Sequence, residues 1–280
     1  MFDVNQSENV IKAPEGLLKQ SEKLHKQILT VVPGIHCVIG YGLANCMLIE
    51  GNHGNILIDT LESHESAREV KEDLRQISSK AIVAIIYTHY HADHVFGADV
   101  FAEDNIENIQ IYSHSKTLEI LDKTMNFDQR ITFERAARQF GTYLNKQTGH
   151  INCGIGPFLK YNQYTSQGFF TPTHIFNNDT YRLSICGREF TLYYCPGETD
   201  DHIVIHMSKE NVLFATDNIY KSFPNFYAIR GTTIRDSLQW IHSLDLMRNL
   251  QAEYLIPCHT RPIKGKHSIY DLITIYRDAI

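Results

Sequence analysis

The ten residues Thr88–Gly97, THYHADHVFG, constrain this chain more than any others. They follow the apolar run Ala81–Tyr87, AIVAIIY, and set His89, His91, Asp93 and His94 at an H-x-H-x-D-H spacing. A continuous run of that length, rich in Ile, predicts a strand buried on both faces. The polar residues then fall at the strand end, where several side chains can be aimed into one cleft. Imidazole nitrogen and carboxylate oxygen are the ligands that a borderline-soft divalent ion such as zinc prefers. A solvated polar loop is the bland alternative, but three imidazoles and a carboxylate within six residues rarely arise by chance, even with 15 His in the chain. The stretch therefore reads as part of a metal site on the end of a buried strand.

Around it the chain alternates short β-rich runs with helical stretches. Residues 8–28 carry apolar positions at near-helical spacing and predict a peripheral helical segment over residues 1–28. From Leu29 the runs VVPGIHCVIGYG, ANCMLIEG and NILIDT predict successive antiparallel strands. Ser63–Ser79 predicts a helix leading into the strand before His89, and polar helical stretches run from about Lys116 to Leu144. Gly154–Gln167 reads as a long loop, a common place for function. HIFNN, TYRLSI, REFTLYYC, HIVIHM and VLFAT predict a second series of strands, followed by a helix over Ile234–Leu250, a short strand YLIPC and a C-terminal helix from His267. Strands followed by helix in each half predict an α/β fold, two mainly antiparallel sheets packed face to face with helices outside. With no repeat or linker in 280 residues, we expect a single domain over 1–280.

Composition narrows the partners. A net charge of -6 argues against nucleic acid, which needs a basic patch to neutralise phosphates. No apolar run approaches the ~18 residues that span a bilayer, and the polar N-terminus lacks a secretory pattern. The six cysteines are scattered without a CxxC pair and predict free thiols. The expected compartment is the cytoplasm, with a mature periplasmic or secreted form as the alternative.

The opening motif supplies four ligands at most, so the site needs more from later strand ends. Glu198 follows TLYYCPG, Asp217 follows VLFAT and His259 follows YLIPC, each where a β run gives way to a loop. Taken singly, a carboxylate at a strand end is more often a turn or cap residue. Asp201 and His202 compete with Glu198, and Cys258 precedes His259 as either a ligand or a small buried neighbour.

THYHADHVFG, Asp59 in ILIDT, and strand-end ligands in this order resemble the metallo-β-lactamase superfamily, an αββα fold that holds one or two zinc ions. GETDDHIVIH, DNIYKSFPNFYAIRGT and SLDLMR are similar to its alkylsulfatase branch, the metal-dependent sulfuric ester hydrolases. The resemblance implies two zinc ions, one on His89, His91 and Glu198, the other on Asp93, His94 and His259, with Asp217 bridging them. Glu198 in place of the superfamily's usual His favours the sulfatase branch, whereas Asp217 is one methylene shorter than the Glu that often bridges there. Asp59 is implied as an outer partner of the ligands.

A sulfate monoester calls for guanidinium forks and polar donors beside the metals. The resemblance places Asn225, Arg230 and Tyr164 on sulfate-binding positions; Arg235 has no clear counterpart, and Lys221 reads as solvated. The implied reaction is hydrolysis of an alkyl sulfate by a metal-bound hydroxide, with Asp93 or Asp217 taking its proton. The alternatives are a thioester, lactone or phosphoester hydrolase on the same scaffold, a non-catalytic metal-binding protein, and a flavin-linked di-iron oxygen reductase, which His91 disfavours. Sulfatase relatives are longer, with a helical dimerisation region and a lipid-binding-like C-terminal domain, so a homodimer is expected only with such a region.

Overall fold

The computed structural model describes residues 13–124, 129–145, 148–160, 166–222 and 225–280. Helix α1 (Glu15–Ser21) precedes strands β1 (Gln27–Val32), β2 (Ile35–Ile39), β3 (Cys46–Glu50) and β4 (Asn55–Ile58). After them come α2 (His64–Arg75), β5 (Ile82–Ile86), α3 (Ala92–Val95), α4 (Ala98–Ala102) and β6 (Gln110–His114). Two helices, α5 (Ser115–Lys123) and α6 (Gln129–Gln139), and β7 (His174–Phe176) complete the first half. The second half runs β8 (Thr180–Ile185), β9 (Arg188–Tyr194), β10 (Ile203–Met207), β11 (Val212–Thr216), α7 (Ser237–Asn249), β12 (Tyr254–Pro257), β13 (Ile263–Lys264) and α8 (Lys266–Ala279).

Strands β1 to β7 form one sheet in sequence order, and the other sheet has the order β13-β12-β11-β10-β9-β8. Alternation along the strands explains why both faces of each sheet are covered. Ile56 and Ile58 of β4 face a core shared with Leu192, Ile205 and Phe214 of the second sheet. Leu57, between them, faces Ala67 and Val70 of α2. On the far side, Val204 and Leu213 pack against Trp240 and Leu244 of α7 and Ile269 and Ile273 of α8. The result is four layers, helix, sheet, sheet and helix, as the sequence predicts.

Two expectations change in detail. The first sheet is mixed: β1 to β4 pair antiparallel, but β4-β5, β5-β6 and β6-β7 are parallel. The run HIF thus joins the first sheet through Tyr112↔His174 rather than opening the second. Within the described part of the N-terminal segment only Glu15–Ser21 is helical, and residues 27 and 28 already belong to a strand because Gln27 pairs with Ile39.

Parallel pairing sets the position of the site. β4 and β5 end at the same edge of the first sheet, and the parallel pair β11 and β12 do so in the second. The backbone N–H of Ile203 donates to the Thr88 carbonyl at 3.0 Å and joins the two edges. Open α/β sheets bind ligands beyond the carboxyl ends of their strands.

Candidate metal centre

The strand ends deliver their side chains through unusual backbone. Asp59 and Thr216 have positive φ, 59° and 55°, directly after β4 and at the end of β11. A β-branched residue in that region costs of order 1–3 kcal/mol. The fold retains the conformation at Thr216, whose hydroxyl lies 2.8 Å from the Ala215 carbonyl and 3.0 Å from Nε2 of His202. The turn at Thr216 places Asp217 between the two sheets.

Three imidazoles are fixed in the same way, each with Nδ1–H donating outward and Nε2 left facing inward. His89 donates to Thr88 Oγ1 at 2.9 Å, His94 to Asp59 at 2.8 Å, and His259 to the Leu43 carbonyl at 3.0 Å. Asp59 also accepts from the backbone N–H and the hydroxyl of Thr88, at 2.9 and 2.8 Å. Outer partners of this kind set tautomer and ring orientation in metal sites. Cys258 completes that shell, its thiol donating to Asp59 at 3.3 Å. Burial pushes the thiol well above its ordinary pKa, and Asp59, His94 and Cys258 form a further set of ligand-type atoms within 4.8 Å of one another.

The inward-facing atoms form two groups. His89, His91, Glu198 and Asp217 each offer a ligand atom within 4.8 Å of the others, and so do Asp93, His94 and His259. Asp217 joins the groups: its Oδ2 lies 3.7 Å from His89 Nε2, 3.4 Å from His94 Nε2 and 3.1 Å from His259 Nε2. In the first group Glu198 Oε2 lies 3.1 Å from His91 Nδ1. Three buried atoms, His94 Nε2, Glu198 Oε2 and Asp217 Oδ1, have no hydrogen-bond partner among the described residues. Buried polar atoms without partners are costly, and here they converge from different elements. Nitrogen and carboxylate donors converging around unpartnered atoms fit divalent cations.

A match to the metallo-beta-lactamase superfamily covers residues 39–259, which includes every residue of both groups. The chain belongs to the metallo-beta-lactamase superfamily. Within curated proteins this superfamily member is 32% identical over 238 residues to a linear primary-alkylsulfatase from Pseudomonas sp., covering 83% of this chain and 44% of that protein. It is 29% identical over 260 residues to an alkyl/aryl-sulfatase from Saccharomyces cerevisiae, covering 90% and 40%. The chain spans less than half the length of these relatives. Among solved structures, a stereoselective inverting sec-alkylsulfatase from Pseudomonas sp. superposes with a TM-score of 0.86 at 24% identity, covering 94% of this chain and 43% of that one, and so shares its fold.

Electrostatics in this superfamily member follow from burial and pairing. Burial opposes ionisation of Asp93, but His94 and His259 outweigh it and hold the carboxyl below its usual range. Glu198 is likewise pushed up by burial and brought down to about 2, by His91 and then Arg235. Burial disfavours charge on His94, yet Asp93 and Asp217 raise its pKa well above the ordinary value. For His89 burial prevails, and the neighbouring imidazoles His94 and His91 lower its pKa further. The centre is thus rich in ionised carboxylate, the state that receives a cation.

The remaining residues singled out in the sequence sort by distance from this centre. His202 lies beneath the ligands, stacked on His89 with ring centroids 4.7 Å apart, its Nε2 accepting from the Asp217 N–H at 3.2 Å. Asp201 accepts from the Thr199 hydroxyl at 2.7 Å, and neither residue stands in the groups that gather around Glu198 or Asp93. Arg230 comes to the centre, its Nη2 3.0 Å from His91 Nε2. Asn225 does not: its side chain is exposed and accepts from the Tyr227 N–H at 3.2 Å. Lys221 is exposed. Tyr164 lies outside the described residues.

Sequence reasoning left Arg235 without a role and overlooked the cavity. Arg235 is 7% exposed and its guanidinium donates to Glu198 Oε1 and to the Asn225 carbonyl. A cavity of about 500 Å³ opens beside the centre, with His91, Asp93, Glu198, Arg230 and Arg235 in its wall. Its wall also includes the apolar side chains of Phe96, Ile120, Leu121, Phe140, Leu159 and Ile234. The sequence signal for those residues was weak, Ile120 and Leu121 standing among the polar residues of α5.

Proposed function

We propose that this chain hydrolyses alkyl sulfate esters at a centre holding two zinc ions. The observation that carries this reading is the cavity, whose lining combines His91, Asp93, Glu198 and Arg230 with a set of apolar side chains. An amphiphile with a small anionic head and a hydrocarbon tail matches both kinds of lining. The similarity to proteins named alkylsulfatases supports the same substrate class.

His89, His91 and Glu198 would hold one ion, Asp93, His94 and His259 the other, and Asp217 would contribute to both. Divalent ions there supply a water acidified towards a pKa of about 7 and neutralise charge on the ester oxygens. The chain's own residues do the rest. Arg230 binds sulfate oxygens through its planar fork. Asp93 or Asp217, both ionised beside the histidines, would hold or accept the proton of that water. The apolar wall orients the alkyl chain and excludes water, each buried methylene contributing roughly 0.8 kcal/mol. Asn225 and Tyr164 would add sulfate contacts, as the resemblance to alkylsulfatases implies.

The test is sulfate release from dodecyl sulfate by zinc-loaded protein, run beside a lactone, a thioester and a phosphodiester. Hydrolysis of dodecyl sulfate alone is the expected result. Turnover confined to the other three would exclude the sulfatase and leave a different ester hydrolase on this scaffold, and bound metal without any turnover would leave a binding protein.

A further inference from the structure

Glu198 is divided between two partners. Its backbone N–H donates to Asn218 Oδ1 at 3.0 Å, and Asn218 donates in turn to the Cys195 carbonyl at 2.6 Å. Trp240 Nε1 donates to the Asn218 carbonyl at 3.0 Å, tying α7 to the same turn. A Cβ at Gly197 would come within 2.6 Å of Trp240 Cδ1 and 2.5 Å of Asn218 Oδ1, so the chain is pressed into place there. With the main chain fixed, the carboxylate has one oxygen on each side. Oε1 accepts from Arg235; Oε2 faces His91 Nδ1 at 3.1 Å and His89 Nε2 at 3.6 Å.

The guanidinium that takes Oε1 is itself immobilised. Its other arm donates to the Asn225 carbonyl, and its carbon lies 5.7 Å from the Trp240 ring centroid. Both side chains of the pair are nearly inaccessible, 4% and 8% exposed, so water does not compete for Oε1. A carboxylate offered to a divalent ion binds through one oxygen or both. An ion that takes both from Glu198 has one position fewer for water or substrate, and catalytic centres depend on such an open position.

We propose that Arg235 is a positioning residue that withholds Oε1, limits Glu198 to one oxygen on the first ion, and so keeps a coordination position open. The proposal rests on the two-ion reading of the centre. Placing a cation beside a metal ligand opposes metal binding by Coulomb repulsion. Arg235 therefore reduces the affinity of the first ion and increases its reactivity. Removing it relieves the repulsion and frees the second oxygen, and both changes tighten the metal while closing the open position.

The test uses the full chain loaded with cobalt(II), a spectroscopic stand-in for zinc, titrated without any ester present. In Arg235→Met the first ion is expected to bind on the order of tenfold more tightly and turnover to fall roughly 10–100-fold, the usual weight of an outer partner. The visible cobalt absorption should weaken, as it does when coordination number rises, while the ion on Asp93, His94 and His259 keeps its affinity. Arg235→Lys retains the buried charge, and with it the fold, but offers one donor point in place of a fork. It should shift the spectrum in the same direction by a smaller amount. A first ion bound more weakly in Arg235→Met, or an unchanged cobalt spectrum in either variant, overturns the proposal. If the unsubstituted chain takes up no ion on His89, His91 and Glu198, the two-ion reading and the role of Arg235 fall together. A loaded chain with an unchanged spectrum overturns the role of Arg235 alone.

Discussion

The floor of the site, where the ligand-type side chains converge, and its rim, the segment 225–238, are built by opposite means. On the floor, His89 and His259 follow strand ends and His94 stands in α3; all are at most 2% exposed, and each has its Nδ1–H bonded to the protein. On the rim, residues 225–238 carry Tyr227, Ile229, Ile234 and Leu238 at 54–75% exposure, and Arg230 reaches the centre from irregular backbone. The floor is specified by backbone and burial, so it can hold a cation whatever the ester. The rim is irregular and largely exposed, and the proposed contacts to substrate, Arg230 and Ile234, lie there. One architecture therefore accommodates different chemistries by altering the loops over a constant base.

The largest effect should come from breaking the floor where its halves meet. Asp217→Ala is expected to abolish turnover and to lower the retained metal, measured by elemental analysis after dialysis; full activity with both ions in place would show that Asp217 does not join them. Next, the floor's outer shell can be weakened without touching a ligand. Asp59→Asn should weaken metal binding by about 10–100-fold, with turnover recovering at saturating zinc, because Asn still fills the site but no longer anchors the His94 N–H as an anion. Metal titration followed by activity separates that outcome from a simple loss of fold.

On the rim, Arg230→Met should lower kcat/KM for an alkyl sulfate by roughly tenfold or somewhat more, the weight of a hydrogen bond to a charged group. Metal content should stay constant, so a variant that loses its ions would move Arg230 from rim to floor. The smallest effect is expected at Ile234, which is 75% exposed yet lines the cavity. Ile234→Ser should cost roughly threefold with long-chain esters and nothing with short ones, since only a long tail reaches the apolar wall. An equal loss across chain lengths would remove the tail from that wall.

The same division explains what could be read in advance. The motif at His89 to His94, the strand ends bearing Glu198, Asp217 and His259, and the four-layer arrangement all follow from local pattern, because a strand end is visible as an apolar run that stops. The placement of His174–Phe176 in the first sheet was not legible, since pairing partners are a tertiary choice. Nor was Arg235, because nothing in its neighbours indicates a carboxylate 37 residues earlier in the chain. The polar helical stretch from Lys116 onward concealed the apolar wall, as a few inward-facing residues among many charges carry little periodic signal.

The bond from His259 to the Leu43 carbonyl spans 216 residues, and the contact between Arg230 and His91 spans 139. Loops of that length close late and slowly in folding. A half-folded chain therefore presents separate fragments of the centre, none with a full set of ligands. Metal captured by the finished chain is a report that both ends have come home, and at 100 times its dissociation constant it adds about 2.7 kcal/mol to keeping them there.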